Sequence, residues 1–432
     1  MENRDPKKRS LNIKEKLAFL RPWDRDDDIE ADMEISDLGA GEEAPADRGP
    51  SPAAGILHDS RLWMTCILVL IFIATIGFYL YNRNHTFTTY VITSARENAD
   101  VEGTQYAALG KSIIKYSPDG VFCVSRKNEM KWSSAFSMQA PITDICDDRT
   151  MVIAEQQGTQ VAVFNESGML GSFQTEYPIL KAAVSGQGVT ALVTQGGEVT
   201  WITLFGTGGE KIAEIRTTVE DFGYPLDVAI SPSGKRLMVS FLGVKESGTG
   251  TTIAFFDFSS AAGSNEAHMT GSAEYPGQVF PEIFYADENT PAAVGDEGLI
   301  IYTNSGVPEE KDKILFDDEI VSTFHSESAV GFVFENQTDG SAGDGDRWRM
   351  ALYSYTGRKM METTFDGSYS RILLDGDEIL AYTEQYLMVF TRHGTMRFNT
   401  DFEEPVRYFM KIPGFRKYMV ITRNNLNEIR IR

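Results

Sequence analysis

Residues 225–242 read PLDVAISPSGKRLMVSFL, in which two apolar runs flank the polar turn SPSGK. Short apolar runs separated by Gly, Pro and Ser are typical of antiparallel β-strands joined by a tight turn. A similar arrangement occupies residues 179–195, ILKAAVSGQGVTALVTQ, and another occupies residues 370–385, SRILLDGDEILAYTEQ. The chain therefore contains a β-structured unit that recurs, and self-similarity of this kind indicates a repeat architecture.

A second hairpin pattern accompanies these paired runs. Its copies are VAVFNESGMLGSF (161–173), VTWITLFGTGGEKIAEI (199–215), LIIYTNSGVP (299–308), MALYSYTGRKMMETTF (350–365) and LMVFTRHGTMRF (387–398). Each copy has a glycine in its turn, at Gly168, Gly209, Gly306, Gly357 and Gly394, and glycine suits hairpin turns that need positive φ. The complete unit thus has four short strands and lasts about 37–54 residues.

Four-stranded units of this length predict an all-β fold, the β-propeller, with one blade per unit. Eight blades are favoured: the first spans residues 105–138, and the others begin near Ile142, Ile179, Leu226, Phe280, Ile320, Tyr369 and Val406. The last unit has only three strands, so the extra strand at residues 88–96 is expected to complete it and close the ring. Seven blades and a two-sheet β-sandwich are the alternatives.

The run from Leu62 to Asn82, LWMTCILVLIFIATIGFYLYN, carries no charge. About twenty apolar residues cross a hydrocarbon core of about 30 Å, so residues 62–82 are predicted to form a transmembrane helix. Aromatic rings stand at its ends, where they prefer the membrane interface: Trp63 on one side and Phe78, Tyr79 and Tyr81 on the other. The prediction divides the chain into a tail (1–61), a single span (62–82) and a propeller domain (83–432).

The tail is expected to be cytoplasmic and largely disordered, with a short helix at residues 11–21 that either docks a partner or belongs to a disordered basic leader. Basic residues balance on either side of the span, but a cluster of five lies near the start of the chain: Lys7, Lys8, Arg9, Lys14 and Lys16. Large C-terminal domains translocate largely regardless of charge. We therefore expect a cell-membrane protein with an extracytoplasmic propeller.

Charge and cysteine content limit the partners and the redox chemistry. Residues 83–432 carry 30 Lys and Arg against 47 Asp and Glu, a net charge of −17, which disfavours nucleic acid and anionic headgroups. Besides Cys66 in the span there are only Cys123 and Cys146, which does not make a disulfide framework. Their predicted strands are not neighbours, so two buried free thiols are favoured over one disulfide.

No catalytic motif is found in the sequence. The five histidines have no metal-binding spacing, and there is no nucleophile elbow, P-loop or G-x-G-x-x-G, so no enzyme activity and no cofactor are expected. The acidic, glycine-rich loop Asp339–Asp346 is either an exposed loop or a calcium site, although it lacks the EF-hand spacing. The pairs Asp287-Glu288 and Asp296-Glu297 are a weaker candidate of the same kind.

The segments YSPDG, DVAISPSGKRLMVSF and EMKW (129–132) resemble those of WD40 and quinoprotein propellers, although no blade ends in Trp-Asp. The whole layout, with GYPLDVAISPSGKRLMVSFL (223–242) as its most distinctive part, resembles an uncharacterised family of bacterial single-pass membrane proteins with a propeller-like ectodomain. That family implies no catalytic residue. A quinone-dependent enzyme would need an aromatic platform, but sheet packing explains Trp132, Trp201 and Trp348.

These features predict a non-enzymatic, membrane-anchored scaffold that binds a protein or an envelope ligand. Binding residues are often on loops held by a rigid scaffold. The candidate interaction loops join blades and contain Tyr177 and Pro178, Tyr224 and Pro225, and Glu404 and Pro405, where Pro and Gly otherwise only shape the corner. The alternatives are a signalling or assembly component that reports ectodomain occupancy through the tail and, less favoured, a quinoprotein-like enzyme.

Overall fold

The computed structural model describes residues 60–245, 248–259, 268–303, 307–336 and 346–432. Three expectations from the sequence lie outside these residues: the tail with its helix at 11–21, the turn at Gly306, and the acidic loop up to residue 345.

A single helix, α1 (Ser60–Asn84), precedes the strands in the described part of the chain. Its residues Trp63–Tyr81 have a mean hydropathy of 2.3, and none of them is buried against the rest of the protein. The helix is therefore long and apolar enough to cross a membrane, and it coincides with the run predicted to do so.

In the described ranges thirty-two strands follow, and they form eight antiparallel sheets of four strands. After β1 (Tyr90–Glu97), blade one contains β2 (Gln105–Leu109), β3 (Ser112–Ser117), β4 (Gly120–Ser125) and β5 (Met130–Ala135). Blade two contains β6 (Pro141–Cys146), β7 (Thr150–Glu155), β8 (Gln160–Asn165) and β9 (Gly168–Gln174). Blade three contains β10 (Ile179–Val184), β11 (Thr190–Gly196), β12 (Val199–Phe205) and β13 (Lys211–Thr218). Blade four contains β14 (Tyr224–Ile230), β15 (Arg236–Lys245), β16 (Gly248–Asp257) and β17 (Met269–Pro276).

Blade five contains β18 (Glu282–Asp287), β19 (Thr290–Val294), β20 (Gly298–Thr303) and β21 (Glu309–Leu315). Blade six contains β22 (Ile320–Ser326), β23 (Ala329–Glu335), β24 (Trp348–Tyr353) and β25 (Lys359–Phe365). Blade seven contains β26 (Arg371–Asp375), β27 (Glu378–Tyr382), β28 (Tyr386–Thr391) and β29 (Met396–Asp401). Blade eight contains β30 (Val406–Lys411), β31 (Lys417–Thr422) and β32 (Asn425–Ile431), and β1 is its fourth strand.

The fold is an eight-bladed β-propeller, as the sequence predicts, and neither seven blades nor a β-sandwich fits this sheet topology. The first strand of each blade is the innermost, and inner strands of neighbouring blades pack against one another, for example β6 against β10 and β14 against β18. The ring closes where β1 pairs with β32, from Tyr90 opposite Ile431 to Glu97 opposite Asn425, with a bulge between Ile92 and Ser94. The first and last strands of the ring thereby cover each other's edges.

The two ends of the ring, called proximal and distal here, differ in the turns and links that they contain. The proximal end holds the turns that join first to second and third to fourth strands of each blade, and the distal end holds the second-to-third turns and the links between blades. The chain enters at the proximal end: Arg432 donates its backbone N–H to Thr89 at 2.9 Å, and Ile431 donates to Arg416 in a first-to-second turn at 3.1 Å. β1 then runs to the distal end, where Asn98 contacts Asn424.

The core lies between adjacent blades. In blades two and three the two middle strands are mostly buried, whereas the outermost strands alternate between half-buried and exposed residues. Phe398 is representative: it is 0% exposed and packs with Phe87 in the cluster that joins blades seven and eight. Because each blade buries its faces only against its neighbours, stability depends on the ring being complete.

Carboxylates tie the inner strands together. Asp144, Asp227 and Asp375 each accept a backbone N–H from the innermost strand of the following blade, at 2.7, 3.0 and 2.7 Å. Burial raises the pKa of each of these side chains. These hydrogen bonds fix the register between neighbouring blades, which no backbone bond within a sheet can do.

Cys123 lies on β4 and Cys146 on β6, and both thiols are free. Burial raises the pKa of Cys123, and burial together with the Asp147 and Asp144 carboxylates raises the pKa of Cys146 to about 12. Trp132 lies on β5, the outermost strand of blade one. It stacks on Phe164 at 5.3 Å, which supports the packing interpretation.

Candidate functional site

The structure places the three predicted interaction loops at the same, distal end of the ring. The link between blades two and three contains Tyr177, which is half-buried and stacks on Trp201 at 6.2 Å, and Pro178, which is exposed. Tyr224 begins β14 and is 44% exposed. Pro225 is buried within the same strand and is therefore removed from the residues that can contact a partner.

The third loop borders a groove. Glu404 and Pro405 are exposed in the link between blades seven and eight, and they line a cavity of about 710 Å³. Blades seven, eight and one contribute the walls, through their links and their second-to-third turns. This volume is within the range of pockets that bind small molecules or short peptide segments. The groove is the candidate functional site.

Both basic and acidic side chains line this groove. Arg371, Arg407 and Arg423 supply three guanidinium groups, while Glu102, Glu384 and Glu404 supply three carboxylates. Glu404 is already engaged, because its Oε2 accepts a hydrogen bond from the Thr422 hydroxyl at 2.8 Å and one from Asn425 Nδ2 at 3.4 Å.

The three arginines of this cavity are not held in ion pairs. Among the described residues, no carboxylate lies within ion-pair distance of Arg371, Arg407 or Arg423. By comparison, Arg236 pairs with Asp257 at 3.3 Å. The three guanidinium groups can therefore donate to a ligand that enters the cavity.

A second cavity of about 430 Å³ continues from the groove toward the inner strands of blades six, seven and eight. The two cavities share Ser370, Arg371 and Tyr382. Hydroxyl groups dominate the inner cavity: the Ser322 and Tyr369 hydroxyls are 3.0 Å apart, and the phenol of Tyr382 lines the cavity together with Arg371. Burial raises the pKa of both Tyr369 and Tyr382, so the phenols remain protonated donors at neutral pH.

Next to the inner cavity, His325 lies on β22, the innermost strand of blade six. The His325 ring stacks on Phe284 at 3.8 Å, and its Nε2 lies 3.3 Å from Glu282 Oε1. The Thr323 hydroxyl donates to Glu282 Oε2 at 2.8 Å. Burial alone would raise the pKa of Glu282, but the bonds from His325 and Thr323 outweigh it and lower that pKa. The Glu282 carboxylate is thus contacted by two side chains of the fold, which indicates a structural role.

The weaker calcium candidate is not assembled. Asp287 accepts hydrogen bonds from Asn289 and Thr290 in the first-to-second turn of blade five, at the proximal end. Asp296 accepts from Val279 at the distal end of the same blade. In the described residues, no three His, Cys, Asp or Glu side chains converge to hold a metal ion.

The fold and the preceding apolar helix define the class of protein: an eight-bladed β-propeller that follows one candidate membrane span. The chain belongs to DUF5711, a family of unknown function, whose sequence profile matches residues 83–431. The resemblance to an uncharacterised propeller family is thereby confirmed. A search of curated proteins finds no match.

Solved structures with a similar architecture include BamB from Moraxella catarrhalis, at 13% identity and a TM-score of 0.45, covering 79% of this chain and 100% of that one. The Neurospora crassa Pan2 WD40 domain aligns at 11% and 0.40, covering 67% and 87%. Chaetomium thermophilum Raptor aligns at 9% and 0.44, covering 82% of this chain and 29% of Raptor. The similarity concerns the propeller architecture alone.

Proposed function

We propose that this protein is a membrane-anchored, extracytoplasmic β-propeller that binds a protein or an envelope ligand at the distal end of its ring. One observation carries the proposal. The chain enters the ring at the proximal end, whereas the candidate loops and the groove are at the distal end. With α1 ending at Asn84 and β1 starting at Tyr90, an anchored helix holds the proximal end toward the membrane and leaves the distal end open.

Rigidity supports a role in binding. The ring is closed by β1, and the inner strands of successive blades are joined through buried carboxylates such as Asp227 and Asp375. A scaffold of this kind holds its loops in fixed positions, and a preorganised surface loses little entropy when a partner binds. The same hydrogen bonds occupy the buried acids that could otherwise serve as catalytic groups, and this favours binding over catalysis.

Site-specific photo-crosslinking in intact cells tests the proposal. A photoreactive amino acid is placed at Tyr224 or Glu404, which are exposed at the distal end, and in matched controls at Lys127 or Thr356, which are exposed in proximal turns. We expect the distal positions to yield a discrete crosslinked product and the proximal positions to yield lipid adducts or none. The same product from proximal positions only would contradict the proposal.

A further inference from the structure

Among the described residues, no carboxylate lies within ion-pair distance of Arg371, although residues 83–432 carry 47 acidic against 30 basic side chains. Arg349, by comparison, pairs with Glu362 at 2.7 Å. The phenol of Tyr382 lines the same two cavities as Arg371. The Arg371 guanidinium therefore has donors left for a ligand, since the planar group carries five.

Arg371 also stands at the boundary between the two cavities. It begins β26 and lines both the outer groove and the inner cavity. Of the described residues that line the inner cavity, Arg371 alone is charged. A ligand group that reaches inward from the groove thus passes the guanidinium and enters a positively charged recess.

The inner cavity supplies further donors. Of the two hydroxyls of Ser322 and Tyr369, one donates to the other and the second keeps a hydrogen free to donate elsewhere. The buried phenol of Tyr382 adds a donor beside the guanidinium. A guanidinium fork with neighbouring hydroxyl donors matches the two oxygens of a carboxylate.

The acidic side chains on the rim of the outer groove indicate which class of ligand fits. Glu102 and Glu384 are exposed on its rim, and the side chain of neither pairs with another among the described residues, whereas Glu404 accepts a hydrogen bond from Thr422. Two free carboxylates near the site oppose a dianion such as a phosphate monoester, and they favour a cation next to the bound carboxylate.

We infer that the distal groove binds a peptide segment carrying a carboxylate and a neighbouring cationic group, with the carboxylate on Arg371 and the cation toward Glu102 and Glu384. Arg407 and Arg423 on the outer wall bind further oxygen atoms of the same segment. The inference deepens the proposed function and rests on it, because it names the chemistry of the partner at that end. The segment belongs either to a protein or to a free peptide, and both present the same groups.

The test is fluorescence anisotropy with full-length protein in nanodiscs. The probe is a Lys-Gly-Glu peptide with fluorescein on its N-terminus and an amidated C-terminus, so that the Glu side chain is the only carboxylate of the peptide itself. It is compared with the matching Lys-Gly-Gln amide and a phosphoserine peptide amide, with unlabelled acetate as competitor. We expect saturable binding of the first probe that weakens about tenfold or more in Arg371→Gln. Arg371→Lys, which keeps the charge without the fork, should be intermediate. The matched control Arg358→Gln removes an exposed arginine of a proximal turn and should bind normally.

A double-mutant cycle makes the assignment specific. In Arg371→Gln, exchanging Glu for Gln in the probe should cost nothing further, since both changes remove one interaction. Absence of binding to the Lys-Gly-Glu probe, equal binding by Arg371→Gln, or tighter binding of the phosphoserine peptide overturns the inference. Distal crosslinking in cells can still succeed in each of these cases, so failure of the ligand assignment is distinguishable from failure of the proposed function. Inhibition by acetate alone, with no extra affinity for the peptide, also overturns it, because the peptide's cation then contributes nothing.

Discussion

Replacement of Asp227 by asparagine should change how the stability of the propeller depends on pH. Asp227 lies on the innermost strand of blade four and accepts the backbone N–H of Ile283 from blade five at 3.0 Å. Burial raises the pKa of this carboxyl to about 6, although the Ile283 N–H and Lys181 partly oppose the shift. Asparagine keeps an oxygen acceptor for Ile283 but does not titrate, so it isolates the contribution of the proton.

The sign follows from linkage. The folded-state pKa is above the unfolded value of 3.8, so the native state binds a proton more tightly, and the contribution to stability is present at low pH and lost as pH rises through about 6. Between pH 5 and pH 7.5 this loss amounts to about 1.4 kcal/mol for a shift of about two pKa units. The free energy of unfolding of the wild type should therefore fall by about that much relative to Asp227→Asn over the same interval.

Urea unfolding of the full chain in detergent, followed by tryptophan fluorescence at pH 5, 6 and 7.5, measures this difference. Asp257→Asn is the control, because hydrogen bonds from Ser259 and pairing with Arg236 outweigh burial and lower the pKa of Asp257 below this pH window. Its stability should parallel that of the wild type between pH 5 and 7.5. If Asp227→Asn also parallels the wild type, the carboxyl is not protonated in the native state and the reasoning is refuted.

Three further predictions concern the ring and its core. Prolines at Val91 and Arg96 remove two backbone donors from β1, so the double variant should lose about 2 kcal/mol or more of unfolding free energy; unchanged urea midpoints would show that β1 does not close the ring. Phe398→Ala empties a site that is 0% exposed and should cost about 4 kcal/mol, measured in the same way, whereas a cost below about 1 kcal/mol would contradict its place in the core. Cys146, whose thiol pKa is raised to about 12, should react with iodoacetamide at pH 8 only after unfolding, and rapid alkylation in the native state would show that β6 is open there.

Local patterns in the sequence were sufficient to predict the blades. In the third-to-fourth turns of blades three, six and seven, the glycines at Gly209, Gly357 and Gly394 have φ values of 84°, 71° and 84°. Because a four-stranded unit repeats with the same turn chemistry, the strands could be counted without any knowledge of tertiary contacts. The eight-bladed ring follows from that count.

The groove could not be predicted in the same way. Arg371 and Arg407 begin inner strands of different blades, and Arg423 lies in a second-to-third turn, so no motif in the sequence connects them. They meet because links and turns from neighbouring blades reach the same end of the ring. Of the residues in the predicted interaction loops, only Glu404 and Pro405 line this groove.

The hydrogen bonds between the inner strands of neighbouring blades could be predicted from the sequence. An aspartate occurs on the first strand of three blades, in the runs ITDIC, PLDVAI and ILLDG, as Asp144, Asp227 and Asp375. A charged residue inside a short apolar run needs a hydrogen-bond partner when buried, and here the next blade's backbone provides it. Such residues predict contacts between neighbouring repeats.

Labelling with a membrane-impermeant maleimide tells whether the distal end of the ring is exposed outside the cell. In a chain whose three native cysteines are replaced by alanine, single cysteines are introduced as Glu404→Cys at the distal end and Lys7→Cys in the tail. We expect Glu404→Cys to be labelled in intact cells and Lys7→Cys to be labelled only after the membrane is permeabilised. Labelling of Lys7→Cys in intact cells, with Glu404→Cys protected until permeabilisation, would show the opposite orientation.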